Sequence, residues 1–137
     1  MSDMNDFNAQ IIAEFRGNGG EVGGPFAGAT IVLLTTTGAR SGQPRTNPVV
    51  ARIEGDNLYV FASKAGAPTN PDWFHNLVAH PEVTVELGTD TFTARAEVVQ
   101  GDERDRVYAA QAAEFPNFAE YEASTDRVIP VVRLVRV

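Results

Sequence analysis

The chain has 137 residues, a formal net charge of −7 and no cysteine. That length suits one domain with a substantial core, and the lack of cysteine excludes a disulfide framework or a cysteine metal site. The acidic balance argues against non-specific nucleic-acid binding, where a basic surface supplies most of the affinity. No apolar run approaches the roughly 20 residues of a membrane span, and the first residues lack a signal-peptide pattern. We therefore expect a cytoplasmic protein.

Strand patterns dominate the chain after an N-terminal helix. The helix is expected around Phe7, Ile11 and Phe15, which recur at four-residue spacing, and the glycine-rich stretch that follows predicts a flexible joint. We assign residues 1–27 to this helix and joint, and residues 28–137 to the main domain. Six strands are predicted from apolar runs between turn signals, at residues 29–37, 46–55, 58–63, 82–87, 92–99 and 129–137.

Three further helical segments complete the predicted elements, at residues 69–80, 102–115 and 116–125. In the first of them Asn70 is a candidate N-cap, Pro71 suits the first helical position and Asp72 suits the positive end of the helix dipole. Successive hairpins imply an antiparallel sheet, and six short strands tend to close. We therefore predict an α+β fold, a small β-barrel of about six strands with helices packed on its outside.

A locally basic stretch stands out in this acidic chain. Residues 22–53 contain no acidic residue. Their basic residues are Arg40, Arg45 and Arg52. Within the turn GARSGQPR, Gly38 and Gly42 can adopt positive φ, which lets backbone N–H groups line a concave surface. Guanidinium groups beside such a turn predict a cradle for a phosphate or a carboxylate.

Two other elements are expected to contact the same ligand. The helix after Asn70 offers the positive end of its dipole and the aromatic ring of Trp73. Ser63 and Lys64 place a hydroxyl and an ammonium group at the end of the third strand. Together these groups suit a flat heteroaromatic ligand with an anionic tail. No metal site and no nucleophile triad is indicated, since the two histidines stand five residues apart without further ligands.

Three separated stretches resemble the deazaflavin-dependent nitroreductase family in sequence and spacing. They are LLTTTGARSGQPRTNPV, ASKAGAPTNPDWFHNL, and FPNFAEY followed by TDRVIPVV. The resemblance covers residues 28–135 in matching order. It implies a split β-barrel that binds coenzyme F420. It also implies a reductase that transfers hydride from the reduced cofactor to an electrophilic small molecule such as a quinone, an enone or a nitro compound.

The resemblance also implies which residues contact the cofactor. They are Ala39, Arg40, Ser41, Arg45, Thr46, Asn47, Pro48, Val49, Val50, Phe61, Ala62, Ser63, Lys64, Asp72, Trp73, Phe74, His75, Asn76 and Phe118. We expect Arg45 and Arg40 to hold the anionic tail, and Lys64 to hold the phosphate or a hydroxyl of the linker. Residues 48–50 are expected to line the deazaflavin, and Trp73 and Asn76 to close the wall from the helix.

The acceptor is expected to lie against a second group of residues. Ser63 would orient the acceptor by a hydrogen bond, and Tyr121 would supply a proton, so these two are the predicted catalytic residues. Phe115, Phe118 and Tyr121 would form an aromatic wall over the acceptor. Some relatives carry tyrosines along this wall, and the two phenylalanines offer a nitro group fewer hydrogen-bond donors.

Two alternatives to an F420-dependent reductase stay open from the sequence. One is a protein that binds or stores F420 without efficient turnover. The other is an FMN-dependent oxidoreductase on a related split barrel. Related split barrels often form dimers, so by analogy alone a homodimer is one possible assembly, and the sequence does not name the oligomeric state.

Overall fold

The computed structural model describes residues 3–23 and 28–137, so residues 24–27 of the predicted joint and the side chain of Phe7 lie outside the described part. Its centre is a closed antiparallel barrel with the strand order β1-β2-β3-β6-β5-β4. The strands are β1 (Thr30–Thr37), β2 (Pro44–Glu54), β3 (Asn57–Phe61), β4 (Glu82–Leu87), β5 (Asp90–Val99) and β6 (Val131–Arg136). The α-helices are α1 (Asp3–Gly17), α2 (Asp72–Ala79), α3 (Gly101–Glu114) and α4 (Asn117–Ala123). The predicted α+β barrel with outer helices is thus confirmed.

Strand β1 is buried on both of its faces, which explains its continuous apolar run. Val32 and Leu34 lie in the barrel core. The alternate residues Ile31 and Leu33 lie in a second cluster, outside the barrel. The α1 side chains that cover them are Ile11 and Phe15. Because side chains alternate across a strand, one apolar run serves both layers.

The outer faces of β3 and β6 are covered by α3 and α4. Tyr59, Phe61 and Val131 form this outer layer on the strands. The helical residues packed on them are Val107, Tyr108 and Phe118. None of the described helices is both long and apolar enough to cross a membrane. The division of the chain at residue 27 stays a prediction.

Helix α2 begins differently from the prediction. Its N-cap is Pro71 and its first residue is Asp72, with no side-chain cap. The predicted N-cap, Asn70, was therefore wrong. Its Oδ1 instead accepts a hydrogen bond from Nη1 of Arg127 at 2.7 Å.

Candidate cofactor and acceptor site

One end of the barrel gathers the predicted binding stretches. Strand β1 runs toward this end and β2 runs away from it, so the turn of residues 38–43 lies there. Strand β3 is antiparallel to β2 and ends at the same place, and the segment between α4 and β6 returns to it. This end, with the turn 38–43, the loop 62–70, α2 and α4, is termed the cradle end. Barrel closure thus brings residues distant in sequence to one surface.

The turn 38–43 needs its two glycines for different reasons. Gly42 has φ of +70°, as predicted. Gly38 does not have positive φ, so that part of the prediction was wrong. A Cβ at Gly38 would instead collide with Oγ of Ser41, and that Oγ accepts a hydrogen bond from the backbone N–H of Gln43 at 3.2 Å. A side chain at position 38 would therefore displace the Ser41 hydroxyl from its place inside the turn.

The cations of the cradle end have no carboxylate partners. Ion pairs hold seven arginines elsewhere: Arg16, Arg52, Arg95, Arg104, Arg106, Arg133 and Arg136. Among the side chains that the structure describes, which from the N-terminus begin at Asn8, no carboxylate oxygen lies within 4 Å of Arg40, Arg45, Arg127 or Lys64. All four lie at the cradle end, where no ion pair among the described side chains neutralises their charge.

Arg52 does not belong to this positive surface, although its sequence position suggested it. Its Nε donates to Glu54 and its Nη1 to Glu114 of α3, each at 2.8 Å. Hydrogen bonds from Arg52 and Arg106 lower the pKa of the Glu54 carboxyl. Arg52 thus ties β2 to α3 on the outside of the barrel and has no free charge to offer.

Asn76 joins α2 to the turn 38–43. Its Oδ1 accepts a hydrogen bond from the backbone N–H of Ala39 at 2.9 Å. Its Nδ2 donates to Oγ1 of Thr36 at 3.2 Å, in a buried position. The N–H of Ala39 is thus already satisfied and is not free for an anion. Asn76 thus fixes the turn against the helix, and its contact with the cofactor stays a prediction.

Several other predicted contact residues are buried. Trp73 is 7% exposed and packs with Leu77 in the barrel core, and its contact with the cofactor stays a prediction. The other buried residues among the predicted contacts are Val49, Phe61, Ala62 and Phe118. Accessible or half-buried positions remain at Ala39, Arg40, Ser41, Arg45, Thr46, Asn47, Pro48, Val50, Ser63, Lys64, Asp72, Phe74 and His75. Their contact with a cofactor stays a prediction.

The aromatic segment of α4 divides into a buried and a half-buried part. The ring of Phe118 packs edge-to-face on Phe61 and on Tyr121, with centroid distances of 5.4 and 5.3 Å. Phe118 is 3% exposed and belongs to the outer core. Tyr121 is half-buried, and its hydroxyl accepts a hydrogen bond from Nδ2 of Asn117 at 3.0 Å. Among the described residues, Phe115 and Tyr121 are therefore the half-buried part of the predicted wall.

Arg127 is a residue of the cradle end that the sequence analysis did not assign. Its guanidinium donates hydrogen bonds to the loop 62–70. The only sequence signal was its position in the TDRVIPVV stretch, where its role could not be distinguished from that of a surface arginine.

Two concavities lie at the opposite end of the barrel. One, of about 830 Å³, is lined mainly by residues 18–23, which follow α1, and by residues 28–31 at the start of β1. The other, of about 430 Å³, is lined by the β2–β3 turn and the ends of β4 and β6. The arginines in the second, Arg133 and Arg136, are both paired with carboxylates. Volume alone does not make an anion site, so the unpaired cations identify the cradle end as the better candidate.

Comparison with known proteins was made on this fold and site. The model of the F420H(2)-dependent quinone reductase family matches residues 9–136. The F420H(2)-dependent quinone reductase Rv1261c of Mycobacterium tuberculosis (strain ATCC 25618 / H37Rv) is 38% identical over 128 residues, covering 90% of this chain and 86% of that protein.

Two solved structures support the same relationship. A structure described as F420-H2 dependent reductase (FDR-A) has 38% identity and a TM-score of 0.69, covering 76% of this chain and 92% of that one. Another, described as a domain-swapped dimer, has 33% identity and a TM-score of 0.71, covering 95% and 98%. For this chain a homodimer stays a prediction.

The family match spans all three stretches on which the resemblance was based. It confirms the expectations of coenzyme F420 as the cofactor and of an F420-dependent reductase. The chain belongs to the F420H(2)-dependent quinone reductase family.

Proposed function

We propose that this chain holds coenzyme F420 at the cradle end and reduces a quinone there. The observation that carries the proposal is a set of four cations, at one end of an acidic protein, that make no ion pair with any described carboxylate. By the resemblance, the cofactor carries a phosphate and a polyglutamate tail. Unpaired guanidinium groups and an ammonium group suit such a polyanion, so the residues present fit the cofactor.

The exposed arginines are proposed to hold the anionic tail. Arg40 and Arg45 are exposed and make no ion pair within the described residues, so their guanidinium donors are available. Lys64 would hold the phosphate or a hydroxyl of the linker. Pro48 and Val50 are half-buried and would form the apolar lining for the ring. The buried residues beneath them act by packing.

The chemistry is proposed to need orientation rather than a covalent intermediate. When bound, coenzyme F420 supplies a hydride from its deazaflavin ring. The hydroxyl of Ser63, which is half-buried, donates a hydrogen bond to the acceptor oxygen and polarises it. The hydroxyl of Tyr121 accepts from Asn117, which leaves its own proton for transfer to the reduced acceptor.

Quinones are the proposed main acceptors, and enones and nitro compounds the slower ones. A quinone has two carbonyl oxygens, to which the hydroxyls of Ser63 and Tyr121 can donate hydrogen bonds. Phe115 is half-buried and carries no hydrogen-bond donor, and Phe118 is buried. A nitro group, which carries more negative charge on its oxygens during reduction, therefore finds few donors at this wall.

A steady-state assay with an acceptor panel tests the proposal. The purified chain is mixed with reduced F420 and a naphthoquinone, a cyclic enone or a nitroimidazole, and oxidation of the cofactor is followed by fluorescence. We expect the quinone to react fastest, with no comparable rate when reduced FMN replaces F420. Tight F420 binding without turnover would indicate a storage protein. Equal or faster turnover with reduced FMN would indicate a flavin enzyme, and either result contradicts the proposal.

A further inference from the structure

We infer that Arg127 is a positioning residue that fixes Ser63 and Lys64 for their work at the cradle end. The inference rests on the proposed function for the roles of those two residues. Arg127 lies between α4 and β6, far from the loop 62–70 in sequence, and its guanidinium enters that loop from the C-terminal side.

The guanidinium of Arg127 binds four acceptors of a single loop. Nε donates to the carbonyl oxygen of Ala67 at 2.8 Å, and Nη2 to that of Ser63 at 2.7 Å. Nη1 donates to the carbonyl oxygen of Ala62 at 3.1 Å and to Oδ1 of Asn70 at 2.7 Å. These contacts use four of the five N–H donors of an arginine. The loop is therefore held at its start, its middle and its end by one planar group.

The conformation that Arg127 holds is unusual at Lys64. Lys64 has φ of +47°, and it is the one non-glycine residue with positive φ within the described residues. A side chain disfavours this region, so neighbouring contacts must maintain it. The carbonyl of Ser63 on one side of Lys64 and that of Ala67 beyond it are the atoms that Arg127 binds. Arg127 thus fixes the backbone from which the Ser63 and Lys64 side chains extend, and Nζ of Lys64 in turn donates to Oγ1 of Thr69 in the same loop at 3.2 Å.

The same loop also contacts α4. A Cβ at Gly66 would lie 2.9 Å from the carbonyl oxygen of Tyr121, so the loop packs directly on the helix that presents the proposed proton donor. The turn is closed by hydrogen bonds from Gly66 to Ser63 at 2.9 Å and from Ala67 to Lys64 at 3.0 Å. Displacing the loop would therefore alter the spacing of Ser63 and Tyr121 together.

Arg127 is not stabilised by an ion pair: among the described side chains, no carboxylate oxygen lies within 4 Å of its guanidinium nitrogens. Burial lowers the pKa of Arg127, although an arginine keeps its charge at any ordinary pH. Backbone carbonyls hold the guanidinium without neutralising it. The arrangement therefore orders the loop and adds positive charge at the proposed anion site.

Arg104 provides a matched control for a merely structural role. It is a buried arginine of α3 whose Nε and Nη2 donate to the carbonyl oxygen of Ile129 at 3.1 and 2.9 Å. It thus anchors the same C-terminal segment as Arg127, but its hydrogen bonds do not reach the loop 62–70.

The experiment compares Arg127→Lys, Arg127→Gln and Arg104→Gln. Hydrogen exchange of residues 62–70 is measured without cofactor, melting temperature is measured for each protein, and F420 is titrated by fluorescence. We expect both Arg127 variants to exchange faster in the loop and to bind F420 about tenfold more weakly, since neither replacement can span four acceptors. Arg104→Gln is expected to lower the melting temperature and to leave F420 affinity within about threefold.

Two results would overturn the inference. One is an unchanged rate of hydrogen exchange in residues 62–70 of the Arg127 variants. That result would exclude a positioning role for Arg127, whatever the F420 affinity of the variants. The other is an equal loss of F420 affinity in Arg104→Gln. That result would show that the weaker binding of the Arg127 variants follows from a general loss of stability. Failure of the proposed function looks different: the wild-type protein would not bind F420, while the loop would still exchange faster in both Arg127 variants. Arg127→Lys keeps the charge, so it serves as the test if Arg127→Gln does not fold.

Discussion

The side chain of Asn76 and the backbone of Ala39 are 37 positions apart in sequence and share a hydrogen bond of 2.9 Å. Asn76 also donates a hydrogen bond to the buried Thr36 of β1. The two bonds together join helix α2 to the cradle end of the barrel. The turn 38–43 is therefore held by helix α2 as well as by the β1–β2 hairpin, whose pairing extends to Thr37 and Pro44.

Loss of this contact is expected to impair both stability and binding. Asn76→Ala removes both hydrogen bonds and leaves the hydroxyl of Thr36 buried without that partner, so we expect about 1–3 kcal/mol less free energy of unfolding. F420 affinity should also fall, because the turn is released. Thr36→Ala, which leaves the Ala39 bond in place, is the control and should affect affinity less. Urea unfolding and F420 titration measure the two effects; unchanged affinity in Asn76→Ala would show that the turn needs no such support.

Tyr121→Phe is expected to lower turnover without lowering cofactor affinity. The substitution removes only the hydroxyl, while the ring keeps its packing on Phe118 at 5.3 Å, so the melting temperature should change little. Asn117→Ala removes the donor to that hydroxyl and keeps the phenol, and it should retain most of the turnover. If Tyr121→Phe lowers stability and leaves the turnover of the folded fraction intact, the hydroxyl has a structural role only.

Ser63→Ala is expected to reduce kcat roughly ten- to a hundredfold, which corresponds to about 1.4–2.7 kcal/mol of barrier. The reason is the loss of one hydrogen bond to the acceptor, since hydride transfer itself needs no side-chain nucleophile. Ser124→Ala is a suitable control, because the Oγ of Ser124 binds the carbonyl oxygen of Glu120 within its own helix at 2.7 Å. Equal turnover in Ser63→Ala and wild type would remove Ser63 from the reaction.

The alkaline stability of the fold should depend on Tyr108. Burial raises the pKa of Tyr108 to about 12, and its hydroxyl donates to the carbonyl oxygen of Phe118 at 2.6 Å. A raised pKa means that the stabilisation is complete below the unfolded value of about 10 and is lost as pH rises toward 12. We expect the melting temperature of the wild type to fall across this window and that of Tyr108→Phe to fall less. Parallel curves for the two proteins would contradict this assignment.

The strands could be predicted because their patterns are local. Strand β4 was predicted at its observed bounds, since alternation in EVTVEL fits a strand buried on one face. The start of α2 was mispredicted because the side chain of Asn70 is taken by Arg127, a partner 57 positions away. A local cap signal cannot reveal such competition.

The charge of the candidate site could be predicted from the sequence, but the roles of its individual residues could not. The acid-free stretch indicated Arg40 and Arg45, which are exposed and without ion pairs in the part of the chain that the structure describes. Burial of Trp73 could not be read from sequence, because an aromatic residue on a short helix suits a core or a surface equally. The role of Arg127 depends on barrel closure, which brings residues 62–70 beside it.

The account depends most on the unpaired arginines of the cradle end, and a titration of F420 tests them directly. Binding is followed by cofactor fluorescence for wild type, Arg45→Ala and Arg136→Ala at low and high salt. Arg136 is the control, because it is paired with Asp90 at 3.0 Å at the opposite end of the barrel. We expect Arg45→Ala to lose about 1.5–3 kcal/mol of binding free energy. Its affinity should depend less on salt than that of the wild type. Arg136→Ala should bind F420 with unchanged affinity. An unchanged dissociation constant in Arg45→Ala, or an equal loss in Arg136→Ala, would contradict the placement of the cofactor at this end.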